Sequence, residues 1–234
     1  GDYHELNIIK KISSKNKILF LDCGSNYGFY SLYVASLSKQ NKVISVEASK
    51  KTLKELNKNL NLNNFSNIKV YNNAISDTDG KIITFNESVK DWESSIIHQN
   101  YKSKVSSTIN SIKIDTLVQG YDLEKYKIII KLDIEGNEMS GIQGSLKLIE
   151  KLFPLIIIEF SKYIFNKRDN IEYLKNFLIG YGYSIYDTNN KKRDLDNIMI
   201  TLDNLEKRHQ TIGNFYLIKN SSKILEEFLS PWVI

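Results

Sequence analysis

One stretch constrains this chain more than any other: K-I-L-F-L-D-C-G-S-N-Y-G, Lys17 to Gly28. Ile18 to Leu21 is an unbroken apolar run, as expected of a strand covered on both faces in a parallel sheet. Asp22 ends the run, and Gly24 and Gly28 follow at G-x-x-x-G spacing. Phe29 to Leu37 is apolar-rich and long enough for a helix. Strand, glycine turn and helix make the first half of a βαβ unit. Such a turn gathers backbone N–H groups and a helix N-terminus at the carboxyl edge of the sheet, where open α/β sheets bind ligands.

The glycine spacing narrows the ligand. In the dinucleotide fingerprint G-x-G-x-x-G the second glycine lets the backbone approach a pyrophosphate. Asn26 holds that position here, and no G-x-x-x-x-G-K-[ST] loop occurs. A second strand, Lys42 to Val46, ends in Glu47, 19 residues after Gly28. That is the distance at which an acid meets ribose hydroxyls. A ligand with a nucleoside but no phosphate at the turn fits, and S-adenosylmethionine is such a ligand. Its ribose suits Glu47, with Ala48 alongside, and its amino acid end suits Asp22, Gly24, Ser25, Asn26 and Gly28. In the plainer reading, Asp22 and Glu47 cap strand ends and the glycines merely turn the chain.

Along the chain, residues 4–13 suit a short helix. Ser49 suits a helix cap, with Leu53, Leu56 and Leu60 on one face. Ile68 to Tyr71 is a third strand, and Asn73 and Ala74 just past it are assigned to the adenine, or to an ordinary Asn-rich turn. Asp79-Gly80 marks a turn before a strand, Lys81 to Phe85. Residues 86–98, with Trp92 and His98, read as a loop near substrate or a solvated connection. Ser111 to Asp115 is a further strand, and Asp115 to Val118 a turn of helix. Residues 81–118 are thus an insertion before the fourth main strand, Tyr126 to Leu132. That strand runs into K-L-D-I-E-G-N-E, with Asp133, Glu135 and Glu138. Acids clustered at a strand's carboxyl end are costly unless they bind something. One helix is expected through Met139, Ile142 and Leu146. A fifth strand, Leu155 to Ile158, ends in Glu159. Tyr183 to Tyr186 and Phe215 to Ile218 are the last strands, with a polar connection, Thr188 to Gly213, between them. The order is that of one doubly wound α/β domain over 1–234, with a helical leader at 1–16 and a C-terminal helix or tail at 220–234.

Composition enters at three points. The net charge is +5, but the basic residues are dispersed, so a nucleic-acid partner is not expected. No apolar stretch is long enough to span a bilayer. Cys23 is the single cysteine and reads as a buried side chain, in agreement with a reducing compartment such as the cytoplasm. The chain begins with Gly1 rather than Met, as a piece of a longer protein would; assembly into a homo-oligomer is a separate expectation left open by the sequence.

Together these segments resemble the FkbM-type methyltransferases, within the Rossmann-like class of S-adenosylmethionine-dependent enzymes. The matching segments are L-D-C-G-S-N-Y-G-F-Y-S, V-E-A-S, N-A-I-S-D-T-D-G, I-N-S-I-K-I-D-T-L, I-I-I-K-L-D-I-E-G-N-E and I-I-I-E-F, across roughly residues 18–219. Ala48 stands where the family usually has a proline after the acid. The resemblance implies a seven-stranded, mostly parallel sheet whose last strand is antiparallel. It also implies O-methylation of a hydroxyl on a sugar, glycan or polyketide-like metabolite, with S-adenosylhomocysteine as product.

Methyl transfer needs alignment of the acceptor and a base for its proton. Asp133 is the first choice for facing the methyl and the acceptor. Glu135 is the expected base, then Glu159, with His98 a candidate if its loop folds over the site. Asp133 and Glu135 would point the same way if the chain stayed extended. Asp133, Glu135 and Glu159 are hard oxygen ligands, but no His pair or Cys cluster accompanies them, and no metal is expected. Two other classes remain: an NAD-dependent oxidoreductase or epimerase, against which Asn26 speaks, and a non-catalytic Rossmann-like binding module, against which the set of acids speaks.

Overall fold

A computed structural model describes residues 2–87, 105–161, 164, 168–200 and 212–230. The Ile18 run is strand β1, Ile18–Cys23, buried at every residue. It is followed by α2, Phe29–Leu37, and preceded by α1, Asp2–Ser13. Next come β2 (Lys42–Val46), α3 (Lys50–Asn63) and β3 (Ile68–Tyr71). Ser49 caps α3, its hydroxyl accepting from the Thr52 N–H at 3.2 Å.

β1 pairs in parallel with β2 on one side and with β7 (Lys127–Leu132) on the other. β7 pairs in parallel with β8 (Leu155–Ser161), and β11 (Ile212–Lys219) lies antiparallel between β8 and β9 (Tyr183–Tyr186). These form the expected seven-stranded sheet with its late strand reversed. A two-residue edge strand, β10 (Lys192–Arg193), extends it, giving the order β10-β9-β11-β8-β7-β1-β2-β3. Sequence gave no hint of β10, which lies in the polar connection before β11.

Together with β4 (Ala74–Ile75), which precedes it, the insertion forms a second, small sheet in the order β4-β6-β5, with β5 at Ile82–Glu87 and β6 at Val105–Ile112. β6 ends at Ile112, earlier than the expected strand, and α4 (Ile114–Leu117) follows. The helix expected through Leu146 is two, α5 (Glu138–Gln143) and α6 (Leu146–Leu152). They divide at Gly144, where a Cβ would lie 2.2 Å from the Ser76 carbonyl oxygen. α7 (Arg168–Tyr181) and α8 (Lys223–Leu229) complete the labelled helices. No helix among the described residues is long and apolar enough to cross a membrane.

Strand alternation sorts the side chains into two cores. Leu19, Leu21, Ile130, Leu132, Ile156 and Ile158 pack on one face, under α4 to α7. Ile18, Phe20, Ile129, Leu155 and Ile157 pack on the other, under α1, α2 and α8. By the same alternation Asp22, Lys131 and Glu159 belong to the second face. Apolar residues fill that face until the carboxyl edge, where it turns polar.

Candidate functional site

The glycine turn is folded against its own neighbours. Gly24, Asn26 and Gly28 all take positive φ, at 84°, 49° and 87°. The N–H groups of Gly24 and Ser25 both donate to the Val46 carbonyl at 3.0 Å. Asn26 N–H donates to Glu47 Oε2 at 2.9 Å, and Gly28 N–H to the Ser25 carbonyl at 2.8 Å. The β2 end and the turn itself thus take up these four donors. The buried Ser25 hydroxyl and Asn26 Oδ1 have no hydrogen-bond partner.

Gly24 is held close to β7. A Cβ there would lie 1.8 Å from the Asp133 carbonyl oxygen, and Asp133 N–H donates to the Cys23 carbonyl at 3.1 Å. Gly28 answers to a different neighbour, since its Cβ would lie 2.4 Å from Leu56 Cδ1 of α3.

Glu47 sits almost buried at the end of β2, holding Ser49 N–H with Oε1 at 2.8 Å and Asn26 N–H with Oε2. Burial pushes its carboxyl up to about 7 against the pull of those donors. Each oxygen keeps lone-pair capacity for a further donor. The Asn72 amide ties the carbonyls of Glu47 and Ala48 to the β3 end, at 2.8 and 3.1 Å. Ala74 is buried with Ile109, and Ala48 and Ile83 pack on them. Asn73 donates to the Asn110 carbonyl and lines a cleft of about 330 Å³ with Lys50, Asn72, Ile82, Thr108, Ile109 and Asn110. The expected cofactor residues Glu47, Ala48, Asn73 and Ala74 are thus neighbours, although the Ala74 side chain faces a small core.

Asp22 lies deep, accepting from the Ser31 hydroxyl of α2 at 2.6 Å. Burial raises its carboxyl, opposed by the Lys131 charge and by Ser31. Lys131 Nζ lies 2.6 Å from Asp133 Oδ2 and 4.7 Å from the Tyr30 ring centroid. Burial pulls the lysine down, but Asp133 and Asp22 outweigh it and hold the ammonium above its ordinary range. The β7–β8 register, carried one residue past Leu132 and Ile158, sets Asp133 opposite Glu159. Burial acts to raise both carboxyls; the Lys131 charge and a hydrogen bond from Glu159 bring Asp133 below its usual range. Glu159 goes far up, from burial, its bond to Asp133 and that neighbour's charge. Of the two, Glu159 is the carboxyl pushed toward its neutral form and Asp133 the one held toward its charged form. About a third of the Asp133 side chain stays exposed, at 32%.

Glu135 departs from expectation. The chain does not stay extended as far as Glu135, which takes φ 54° with Gly136 at 100°. The paired orientation of Asp133 and Glu135 is corrected accordingly; the carboxylate partner of Asp133 is Glu159. Glu135 still acts on Glu159 by its charge. Glu138 pins this loop, Oε1 accepting from the N–H groups of Ile134 and Gly136. Burial lifts it to about 7. His98 lies outside the described residues, as does Trp92. No group of His, Cys, Asp and Glu among the described residues is arranged to hold a metal.

Sequence reasoning passed over Lys131, Ser31 and Asn72. Lysine is seldom buried without a partner, so its place in I-I-I-K-L was a usable signal. Nothing local marks Ser31 or Asn72.

Residues 22–185 match the methyltransferase FkbM domain. The chain belongs to this family. Among solved structures it resembles the methyltransferase FkbM from Methylobacillus flagellatus KT, at 18% identity and TM-score 0.52. That alignment covers 86% of this chain and 43% of the other, so this chain spans less than half of that FkbM protein. A putative rRNA-methylase from Clostridium thermocellum aligns at 13% identity and TM-score 0.51, covering 94% of this chain and 96% of that one. At these identities the likeness is one of fold. No curated protein matches the sequence. FkbM membership makes S-adenosylmethionine the cofactor to be fitted to these residues. The residues fit that cofactor: an acid ends β2, and the turn holds buried polar atoms without partners.

Proposed function

We propose that this FkbM-family chain methylates a hydroxyl oxygen on a small-molecule or glycan acceptor, such as a sugar or polyketide-like metabolite. The observation that carries the reading is the contact between the glycine turn and the acid cluster. Gly24 abuts the Asp133 backbone, so the turn assigned to the donor is bordered by Asp133, with Glu159 beside it. When bound, the cofactor supplies a methyl group on a positively charged sulfur, which departs as a neutral sulfide.

The chain's own residues then have two tasks, binding and proton handling. Glu47 holds the ribose hydroxyls, with Ala48, Asn73 and Ala74 on the adenine side. Asp22, Ser25, Asn26 and the glycines frame the amino acid end. Asp133, ionised and partly exposed, orients the acceptor hydroxyl; alignment of this kind is worth about 7–11 kcal/mol. A neighbouring carboxylate, Glu159 or Glu135, takes the hydroxyl proton, for a further ~10²–10⁴-fold. Amino-group methylation of a nucleic-acid base typically uses a [DN]-P-P-aromatic loop here, and this chain has D-I-E-G.

The test uses labelled S-adenosylmethionine with a panel of sugars, glycans and polyketide alcohols, and with ribosomal RNA in parallel. Label on a hydroxyl of a small acceptor is the expected result. Label on RNA alone would overturn the acceptor class and leave the donor site standing.

A further inference from the structure

At its carboxyl edge one face of the sheet carries Asp22, Ser45, Lys131, Asp133, Glu159 and Asn214. The charges in this layer do not balance. Among the described residues, Asp22 on β1, Asp133 after β7 and Glu159 on β8 act on one cation, Lys131. Glu135 adds its charge to Glu159 from the loop. β11 sets the neutral Asn214 opposite Glu159, and α2 contributes the Ser31 hydroxyl and the Tyr30 ring. A buried layer with more acids than cations stays close to neutral by holding a proton. Asp133, 2.6 Å from Lys131, is held toward its ionised form, and Glu159, without such a contact to the lysine, is the member pushed toward neutrality. Next to this layer the buried Ser25 hydroxyl of the turn has no partner, which independently points to a ligand there.

The sulfonium donor brings a second cation to this layer. The geometry points to a proton exchange at Glu159: the acid releases its proton to solvent when the donor binds, and takes the acceptor's proton during transfer. The inference rests on the reading of the turn and acid cluster as the reaction site. The exchange balances. A cation enters as a proton leaves. The acceptor oxygen then forms its bond to the methyl carbon while the carbon–sulfur bond breaks. Sulfur keeps that electron pair, and the hydroxyl proton returns to Glu159. The product state matches the donor-free state, so Glu159 becomes a base only while the charged donor is present.

The experiment is isothermal titration at about pH 8 in buffers of different ionisation enthalpy, which counts protons released per ligand bound. An opposite charge within ~4–6 Å favours the ionised form by about 1–3 pH units. S-adenosylmethionine is expected to release a large fraction of a proton more from wild type than from Glu159→Gln. Comparison with the variant cancels the ligand's own amino group. S-adenosylhomocysteine, without the methyl or its charge, should show no such difference. If Glu159→Gln does not fold, wild type alone decides. Its affinity for S-adenosylmethionine, relative to S-adenosylhomocysteine, should then rise by up to tenfold per pH unit through this range. Equal proton counts with intact binding of both ligands would overturn the inference alone. Failure of both ligands to bind would overturn the site and the inference together.

Discussion

Two carboxylates with nearly the same titration behave differently on substitution, because their oxygens are engaged differently. Both Glu47 oxygens accept backbone N–H groups, from Ser49 and Asn26. Glu47→Ala strands those two donors and removes the acceptor proposed above for the ribose. A hydrogen bond to a charged group is worth about 1.5–3 kcal/mol, so S-adenosylhomocysteine affinity should fall about tenfold or more, with a lower melting temperature. An unchanged dissociation constant would take Glu47 out of the site. Glu138 engages only Oε1, while Oε2 is buried without a partner. Glu138→Gln can keep the accepting oxygen and drop the charge. Burial raises Glu138 to about 7 from an ordinary 4.5. A raised carboxyl contributes stability fully present below about pH 4.5 and lost as pH climbs through about 7. Glu138→Gln should therefore melt higher than wild type at about pH 8, by several degrees, and converge with it near pH 5. Parallel melting curves across that range would show that Glu138 does not titrate there.

At the scale of elements, the turn between β1 and α2 and the loop after β7 are one construction. Gly24 faces backbone and Gly28 faces a flexible leucine, although both take positive φ. Gly24→Ala must push the Asp133 carbonyl away and spread β1 from β7, losing both stability and cofactor binding. Gly28→Ala meets a leucine tip that can move, so it should keep more of both. The check is binding of S-adenosylhomocysteine and thermal melting of the two variants side by side; the reverse ranking would contradict this geometry. Apolar runs made β1, β7 and β8 legible in the sequence, and the acids Glu47, Asp133 and Glu159 do follow or end β2, β7 and β8. The β10 and β4 pairs were not legible, because two residues carry no period. Nor was the left-handed Glu135, whose side chain gives no sign of its φ. The Asp133–Glu159 pairing depends on β7–β8 register, which the local sequence does not encode.

Across the whole molecule, the N-terminal helix α1 is part of the core. Ile8, Ile9 and Ile12 of α1 are fully buried in the second core, with Glu5 beside them. Burying one such isoleucine contributes about 1.5–3 kcal/mol, and a domain's net stability is about 5–15 kcal/mol. Removing residues 1–16 should therefore leave no cooperative thermal transition. A shortened chain that melts cooperatively near the wild-type temperature would show α1 to be dispensable. α1 is further tied to the sheet by the 2.6 Å bond between His4 Nδ1 and the Tyr216 hydroxyl.

The placement of β11 has a consequence for how the protein is made. β8 and β9 both leave the ribosome before residues 212–219, yet those residues lie between them in the finished sheet. Until β11 emerges, β8 presents an open edge of unpaired N–H and C=O groups, the kind of edge that pairs with other chains. Synthesis therefore completes β1, β2, β3, β7 and β8 first and leaves the place between β8 and β9 to be filled late. A stalled or prematurely terminated chain would expose that edge to chaperones and to its own copies.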